Sequence, residues 1–346
     1  MRSYNSYNGK GGKKGSYKRY RHRRKAPLWV SLLLLVFLLL MRNRQVSEWI
    51  DGLTDEVNQN AETVSGGEVI KTGDPEGELE VHFLDVGHGD STVILCGDHA
   101  MMIDCGDDSQ GTKLQNYLTK HGVKKLDYLV LTHPDKDHIG GAPVILTKFP
   151  IDQVFQSDYY KDNKTADKLR QTLEYARVDA ITPQVGEEYQ LGEAYFTILA
   201  PVGEYEESNN SSIALLLHFG DNTFLFTGDA EKEAENDMVE NSTASGLSLK
   251  ADVYQAGHHG SKSSSKKKFL SAVSPEFAVI SCDYQGEYGH PHAEVLNRLR
   301  EAGIKVFRTD EQGTIVAVSD GKNITWNCAP SESWIAGEPG KSKDSK

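Results

Sequence analysis

The chain has 346 residues, with 38 Lys+Arg against 50 Asp+Glu and a net charge of −12. Hydrophobic residues at 38% and charged ones at 25% exclude a fibrous chain, a polytopic membrane protein and a mostly disordered one. Charge is divided unevenly: residues 1–45 hold 12 basic residues and no acid, leaving 26 basic against 50 acidic residues, a net −24, for the rest.

The first 25 residues are rich in Gly, Ser, Tyr, Lys and Arg and read as a basic cytoplasmic tail that sets topology. Residues 26–41, APLWVSLLLLVFLLLM, are continuously apolar. At 1.5 Å per residue they cover roughly 24 Å, slightly less than a ~30 Å hydrocarbon core, and Lys25, Arg42 and Arg44 can snorkel to close the gap. No small-x-small cleavage site follows, so residues 26–44 read as an uncleaved, single-pass transmembrane signal anchor. The excess of Lys and Arg before it places the N-terminus in the cytoplasm and the acidic body outside the cell membrane. Residues 45–78 are a polar linker, 79–329 the folded unit, and 330–346 a solvated, disordered tail.

Within 79–329, LEVHFLDV, STVILC, AMMIDC, LDYLVLT, SIALLLHF, TFLFTG, ADVYQAG, FAVIS and TIVAVS read as strands. Helical patterns cover 111–121, 138–148, 163–176, 230–240, 266–273 and 292–302. The early strands arrive as hairpins, which disfavours a doubly wound sheet. Cys96, Cys105, Cys282 and Cys328 are too few for a disulfide scaffold and read as core fillers, with a Cys282–Cys328 bridge open in an exported domain.

Ionisable residues gather just after strand ends. The densest group is LVLTHPDKDHIGG, where His133, Asp135, Asp137 and His138 lie between an apolar strand and a Gly-Gly turn. Asp135 and Asp137 repel one another, and a bound divalent metal relieves the cost of holding them together. FLFTGDAE places Asp229 after another strand, suited to bridging two ions, and ADVYQAGHHGSKSS places His258 and His259 after a third. Three such clusters point to a metal centre.

On these residues, together with FLDVGHGDSTVIL, MIDCG, NNSSIALLL, YGHPHAEVLNRL and FRTDEQGTI, the chain resembles the metallo-β-lactamase superfamily and, within it, the ComEC-like DNA-internalisation proteins. The resemblance implies an α/β fold, a four-layer αβ/βα sandwich, with a di-metal site at one edge. It places one ion on His133, Asp135 and Asp229, and the other on Asp137, His138, Asp229 and His258, without separating His258 from His259. The first set is oxygen-rich and leans towards Mn²⁺ or Mg²⁺; the second is closer to a zinc set. The superfamily's third histidine is replaced here by the Asn209–Ser212 run, of which Asn210 and Ser211 are candidate substrate contacts. Asp137 would orient the nucleophile, with His259 and His292 as further catalytic candidates. His290 and His292 would hold phosphate or protonate a leaving group, unless they simply start a helix. Asp85 and Asp90 would stand behind the ligands, Asp85 fixing a histidine. Lys262, with Lys266–Lys268, would form a phosphate-guiding rim.

The resemblance implies nuclease or phosphodiesterase activity on DNA with two divalent ions. Together with the apolar segment it reads as a membrane-anchored, extracytoplasmic enzyme, and since one short anchor cannot conduct DNA, a separate channel protein would serve any DNA uptake. The acidic body repels polyanions, which keeps two alternatives open: a hydrolase of a cell-envelope phosphodiester or small ester, and a non-catalytic metal-stabilised scaffold.

Overall fold

In the computed structural model, which describes residues 75–339 apart from 285 and 287, fifteen strands form two sheets. The first holds β1 (Leu79–Phe83), β2 (Thr92–Cys96), β3 (His99–Ile103), β4 (Leu126–Leu131), β5 (Ile151–Gln156), β6 (Ala180–Ile181), β14 (Ile315–Ser319) and β15 (Ile324–Trp326). Its order is β15–β14–β1–β2–β3–β4–β5–β6. The second holds β7 (Glu188–Leu191), β8 (Ala194–Ala200), β9 (Ala214–Phe219), β10 (Asn222–Phe226), β11 (Val253–Gln255), β12 (Phe277–Ile280) and β13 (Lys305–Arg308), ordered β13–β12–β11–β10–β9–β8–β7. Each sheet is mixed, antiparallel through β14–β1–β2–β3 and β7–β8–β9–β10, and parallel through β3–β4–β5–β6 and β10–β11–β12–β13.

Strand alternation builds the layers. Leu79, Val81 and Phe83 of β1 meet Leu215, Leu217 and Phe219 of β9 in one core between the sheets. The opposite face of the first sheet, including Val93 and Met102, packs on α1 (Gly111–Lys120), α3 (Ala142–Lys148) and α4 (Lys164–Ala176). On the second sheet, Leu216 and Tyr254 pack on α5 (Lys232–Ser245), α6 (Lys267–Val273) and α7 (Ala293–Glu301). Helices therefore cover both outer faces. With apolar residues on both faces of the central strands, burial rather than simple alternation identifies them.

Several sequence expectations change. The helix expected over 138–148 is broken at Gly140–Gly141 into α2 (Lys136–Ile139) and α3, whose first turn carries Pro143. Strands β5–β7, β13 and β15 escape the periodicity because they are short or mix polar and apolar residues, as in IDQVFQ and EYQL, whereas β8, AYFTILA, is apolar and buried and is missed without such a reason. Residues 331–338, expected in a disordered tail, are held instead. Ser331 bridges Val306, the Ile335 carbonyl accepts from Arg308, and Trp334 and Ala336 pack on the core. All four cysteines are free, so no Cys282–Cys328 bridge forms. Among the described residues no helix is long and apolar enough to cross a membrane. The basic tail (1–25), the anchor (26–44) and the linker up to residue 74 lie outside the described residues.

Candidate metal centre

Every cluster side chain lies beyond the carboxyl end of a strand, where the backbone leaves the ladder and neighbouring residues can converge. Thr132 and His133 follow β4, Asp135 precedes α2, and α2 carries Asp137 and His138. Asp104, one residue past β3, ties this segment down. Its carboxylate accepts from Thr132 N at 2.8 Å, Thr132 Oγ1 at 2.7 Å and His138 Nδ1 at 2.8 Å. The last bond commits His138 to present Nε2 to the cluster. Gly89, after β1, permits the next approach: φ is +125°, and a Cβ there would lie 2.4 Å from the Asp137 carbonyl oxygen. That loop brings His88 Nε2 to 3.3 Å from Asp137 Oδ2.

The second sheet supplies the rest. Asp229 N donates to Ser212 Oγ at 3.1 Å, and the same oxygen lies 3.3 Å from His133 Nδ1. Ser212 therefore orients one cluster residue from each sheet. After β11, His258 and His259 both have φ of 53°, the left-handed region that costs an L residue roughly 1–2 kcal/mol. This backbone turns the two rings to different oxygens of Asp229. His259 Nε2 lies 3.6 Å from Asp229 Oδ1 and 3.3 Å from Asp137 Oδ2, while His138 Nε2 is 3.2 Å from Asp229 Oδ1. On the other side, Asp229 Oδ2 is 3.6 Å from His258 Nε2 and 3.8 Å from His133 Nε2, which is itself 3.9 Å from Asp135 Oδ1. The histidine beside Asp137 and His138 is thus His259, and His258 sits with His133.

Burial separates a floor from a mouth. The His133, His138 and His259 side chains are fully buried, whereas Asp135 (28%), Asp137 (25%), His88 (22%) and His258 (21%) keep partial exposure, so a substrate can reach only the latter group. On the floor, His133 Nε2, His138 Nε2, His259 Nε2 and Asp229 Oδ1 are buried without a hydrogen-bond partner. Each such orphan costs about 1–3 kcal/mol unless something satisfies it, and here they face one another. Ligand atoms of Asp90, His138, Asp229 and His259 lie within 4.8 Å of one another, as do those of His88, Asp137 and His259. Divalent cations fit this donor set.

The electrostatics agree. Burial alone would raise the Asp229 pKa, but His138, His258 and His259 outweigh it and hold the carboxylate well below its usual range. Burial would likewise discharge His138 and His259, but Asp229 and their other carboxylate neighbours hold both well above the ordinary imidazole value. His133 is pushed down to about 4, by burial and then by His138. Among the buried rings, burial and surrounding histidines drive His290 down to about 2.

Other expected site residues have different partners. Asp85 fixes no ligand histidine; its Oδ1 accepts from Gly87 N at 3.2 Å and closes its own turn. Asp104 and Asp90 stand behind the histidines instead, Asp90 Oδ1 lying 3.4 Å from His259 Nδ1. Asn210 Oδ1 accepts from Glu231 N and Ala234 N, satisfying the start of α5 rather than facing a substrate. Ser211 Oγ donates to the Ser208 carbonyl and accepts from Ser157. His292 Nδ1 accepts from Lys262 N at 3.0 Å, and its own N donates to the Gly260 carbonyl, bracing the His258–Lys262 loop against α7. His290 is buried, with ring centroids 5.4 Å from His258 and 5.7 Å from His88. Within the lysine run, Lys267 pairs with Glu301, Lys268 with Glu240, and Lys266 Nζ donates to the Lys262 carbonyl. Sequence reading also misses Lys161, whose Nζ lies 2.5 Å from Asp135 Oδ1, and Ser208, which donates to the same oxygen at 2.6 Å.

Two mixed sheets with a His/Asp metal cluster at the strand ends define a metal-binding α/β class, and residues 84–283 match the metallo-beta-lactamase superfamily. The chain belongs to that superfamily, and its domain is related to competence proteins. It is 33% identical over 257 residues to ComE operon protein 3 of Bacillus subtilis, a match covering 69% of this chain and 33% of that protein. It is also 33% identical over 245 residues to competence protein ComA of Neisseria gonorrhoeae, covering 70% of this chain and 32% of that one. The chain thus spans about a third of the length of these relatives. Among solved structures, the metallo-beta-lactamase fold protein YhfI of Bacillus subtilis aligns with a TM-score of 0.48 and 12% identity, over 72% of this chain and all of that one.

Proposed function

We propose that the chain is a two-ion phosphodiesterase acting on nucleic acid, held at the outer face of the cell membrane by residues 26–44. In this reading His133, Asp135 and His258 would hold one divalent ion and Asp137, His138 and His259 the other, with the Asp229 carboxylate available to both. The observation that carries it is the convergence of orphaned floor atoms on the two oxygens of Asp229. Zn²⁺, Mn²⁺ or Mg²⁺ there would acidify a water and neutralise charge on a phosphoryl oxygen. The chain's residues do the rest. Asp137, at the mouth, orients the attacking water by accepting its hydrogen bond. His88 Nε2, beside Asp137 and partly exposed, is placed to return a proton to the leaving oxygen. Buried His133, His138 and His259 exclude bulk water from below.

The competence relatives support nucleic acid as the substrate, and in DNA uptake a separate channel protein would supply the pore. The net −24 of the body favours a second reading, hydrolysis of a cell-envelope phosphodiester or small ester. The test is cleavage of end-labelled single- and double-stranded DNA by the full chain with Mn²⁺ or Zn²⁺, beside Asp137→Asn. Metal-dependent cutting that the variant loses by 10²-fold or more, the usual order for a catalytic group, supports the nuclease. Stoichiometric metal binding without cutting would move the substrate to the smaller esters.

A further inference from the structure

A recess of about 120 Å³ opens beside the metal cluster, with His133 in its wall. Leu131 and Leu169 are buried within its lining, and Tyr160, 72% exposed, stands at its lip. The Arg170 guanidinium lies 5.0 Å from the centre of the Tyr160 ring and donates to the Lys161 carbonyl, so the ring is backed on one face by a fixed cation. Gln156 also lines the recess, and its carboxamide makes no hydrogen bond among the described residues. Larger cavities of about 340 and 420 Å³ are lined by none of the cluster residues.

Size and chemistry together limit the occupant. Whole small-molecule ligands occupy pockets of about 300–1,000 Å³, so this recess takes a fragment such as a single ring system. Apolar walls from Leu131, Ile139 and Leu169, interrupted by Ser157 and Asp158, with an aromatic lip accept a flat ring, and the Gln156 carboxamide offers donors and an acceptor to its edge. Lys161 and Arg170 beside this recess are already paired with Asp135 and Asp167, and Asp158 lines it, so an occupant is held by stacking rather than by net positive charge. We propose that the recess is a nucleobase subsite: it receives the base adjoining the scissile phosphodiester, stacked on Tyr160 with its edge towards Gln156. This deepens the phosphodiesterase reading and rests on it. It also accounts for how an acidic protein retains a nucleotide, since stacking does not depend on net charge.

The test is calorimetric titration of the full chain, in Mg²⁺, with deoxycytidine 5′-monophosphate and with 2-deoxyribose 5-phosphate, which lacks the base. The nucleotide should bind roughly tenfold more tightly or better, the order expected for one stacked base. Tyr160→Ala should abolish that preference and Tyr160→Phe should keep it, with unfolding temperatures unchanged because the side chain is exposed. A ratio near one in the native chain, no detectable binding of either probe, or an unchanged ratio in Tyr160→Ala overturns the subsite. Failure of the two readings is distinguishable. A base preference with no cleavage of any phosphodiester sinks the enzymatic reading and leaves the subsite. Equal cleavage of DNA with and without a base beside the scissile bond sinks the subsite and leaves the enzyme.

Discussion

Asp104 shows what single residues contribute at this site. It is fully buried, and burial raises its pKa, yet Thr132 and His138 engage both of its oxygens. Replacing it with Asn keeps the shape and removes the negative charge behind His138. Metal affinity should fall 10–100-fold, the usual cost of losing such a partner, as read by competition with a chelating indicator; an unchanged affinity would remove Asp104 from the account. Nothing in the sequence near His133 announces this residue, because it arrives from β3 through strand pairing. The choice between His258 and His259 was illegible for a related reason. Two successive left-handed residues fix where each ring points, and neither spacing nor residue type encodes that turn. His133, Asp135, Asp137, His138 and Asp229 were legible because each lies within a few residues of an apolar strand end.

At the scale of elements, α5 links the cluster to the loop that follows His259. Asn210 satisfies two N–H groups at its start, so Asn210→Ala should cost about 1 kcal/mol in unfolding free energy, as lost helix caps do. Cleavage should be unaffected; a selective rise in KM without loss of stability would restore Asn210 to the substrate. One turn further on, Glu235 accepts from Ser265 N and Lys266 N. Burial nonetheless raises its pKa from 4.5 to about 7, against the pull of those N–H groups and of Lys266 and Arg298. The folded state therefore holds a proton that the unfolded state has released, and stability falls as pH rises from about 4.5 to about 7. The full effect is about 3 kcal/mol above that window. Urea unfolding at pH 5 and pH 8 should show the native chain losing most of this, about 2.5 kcal/mol, relative to Glu235→Gln, which cannot ionise. Parallel pH profiles would show that Glu235 stays charged throughout.

For the whole molecule, two sheets of similar plan bring their strand ends to one edge, and each contributes part of the cluster. The sequence reading reached the α/β class and both halves through the apolar strands. Strands β5–β7 are short or polar and depend on tertiary pairing, β8 is apolar and readable yet missed, and 331–338 read as solvated because their anchors, Arg308 and Val306, lie in a distant strand. The two-ion centre turns on Asp229, whose Oδ1 faces His138 and His259 and whose Oδ2 faces His133 and His258. The most direct measurement counts ions: Mn²⁺ bound per full chain, by elemental analysis and magnetic resonance, for the native protein and for Asp229→Ala. Two ions per native chain with magnetic coupling between them, and loss of that coupling with weakened binding in the variant, is the expected result. One ion or none in a native chain that still cleaves phosphodiesters, or two ions retained unchanged without Asp229, would contradict a two-ion centre built on that bridge.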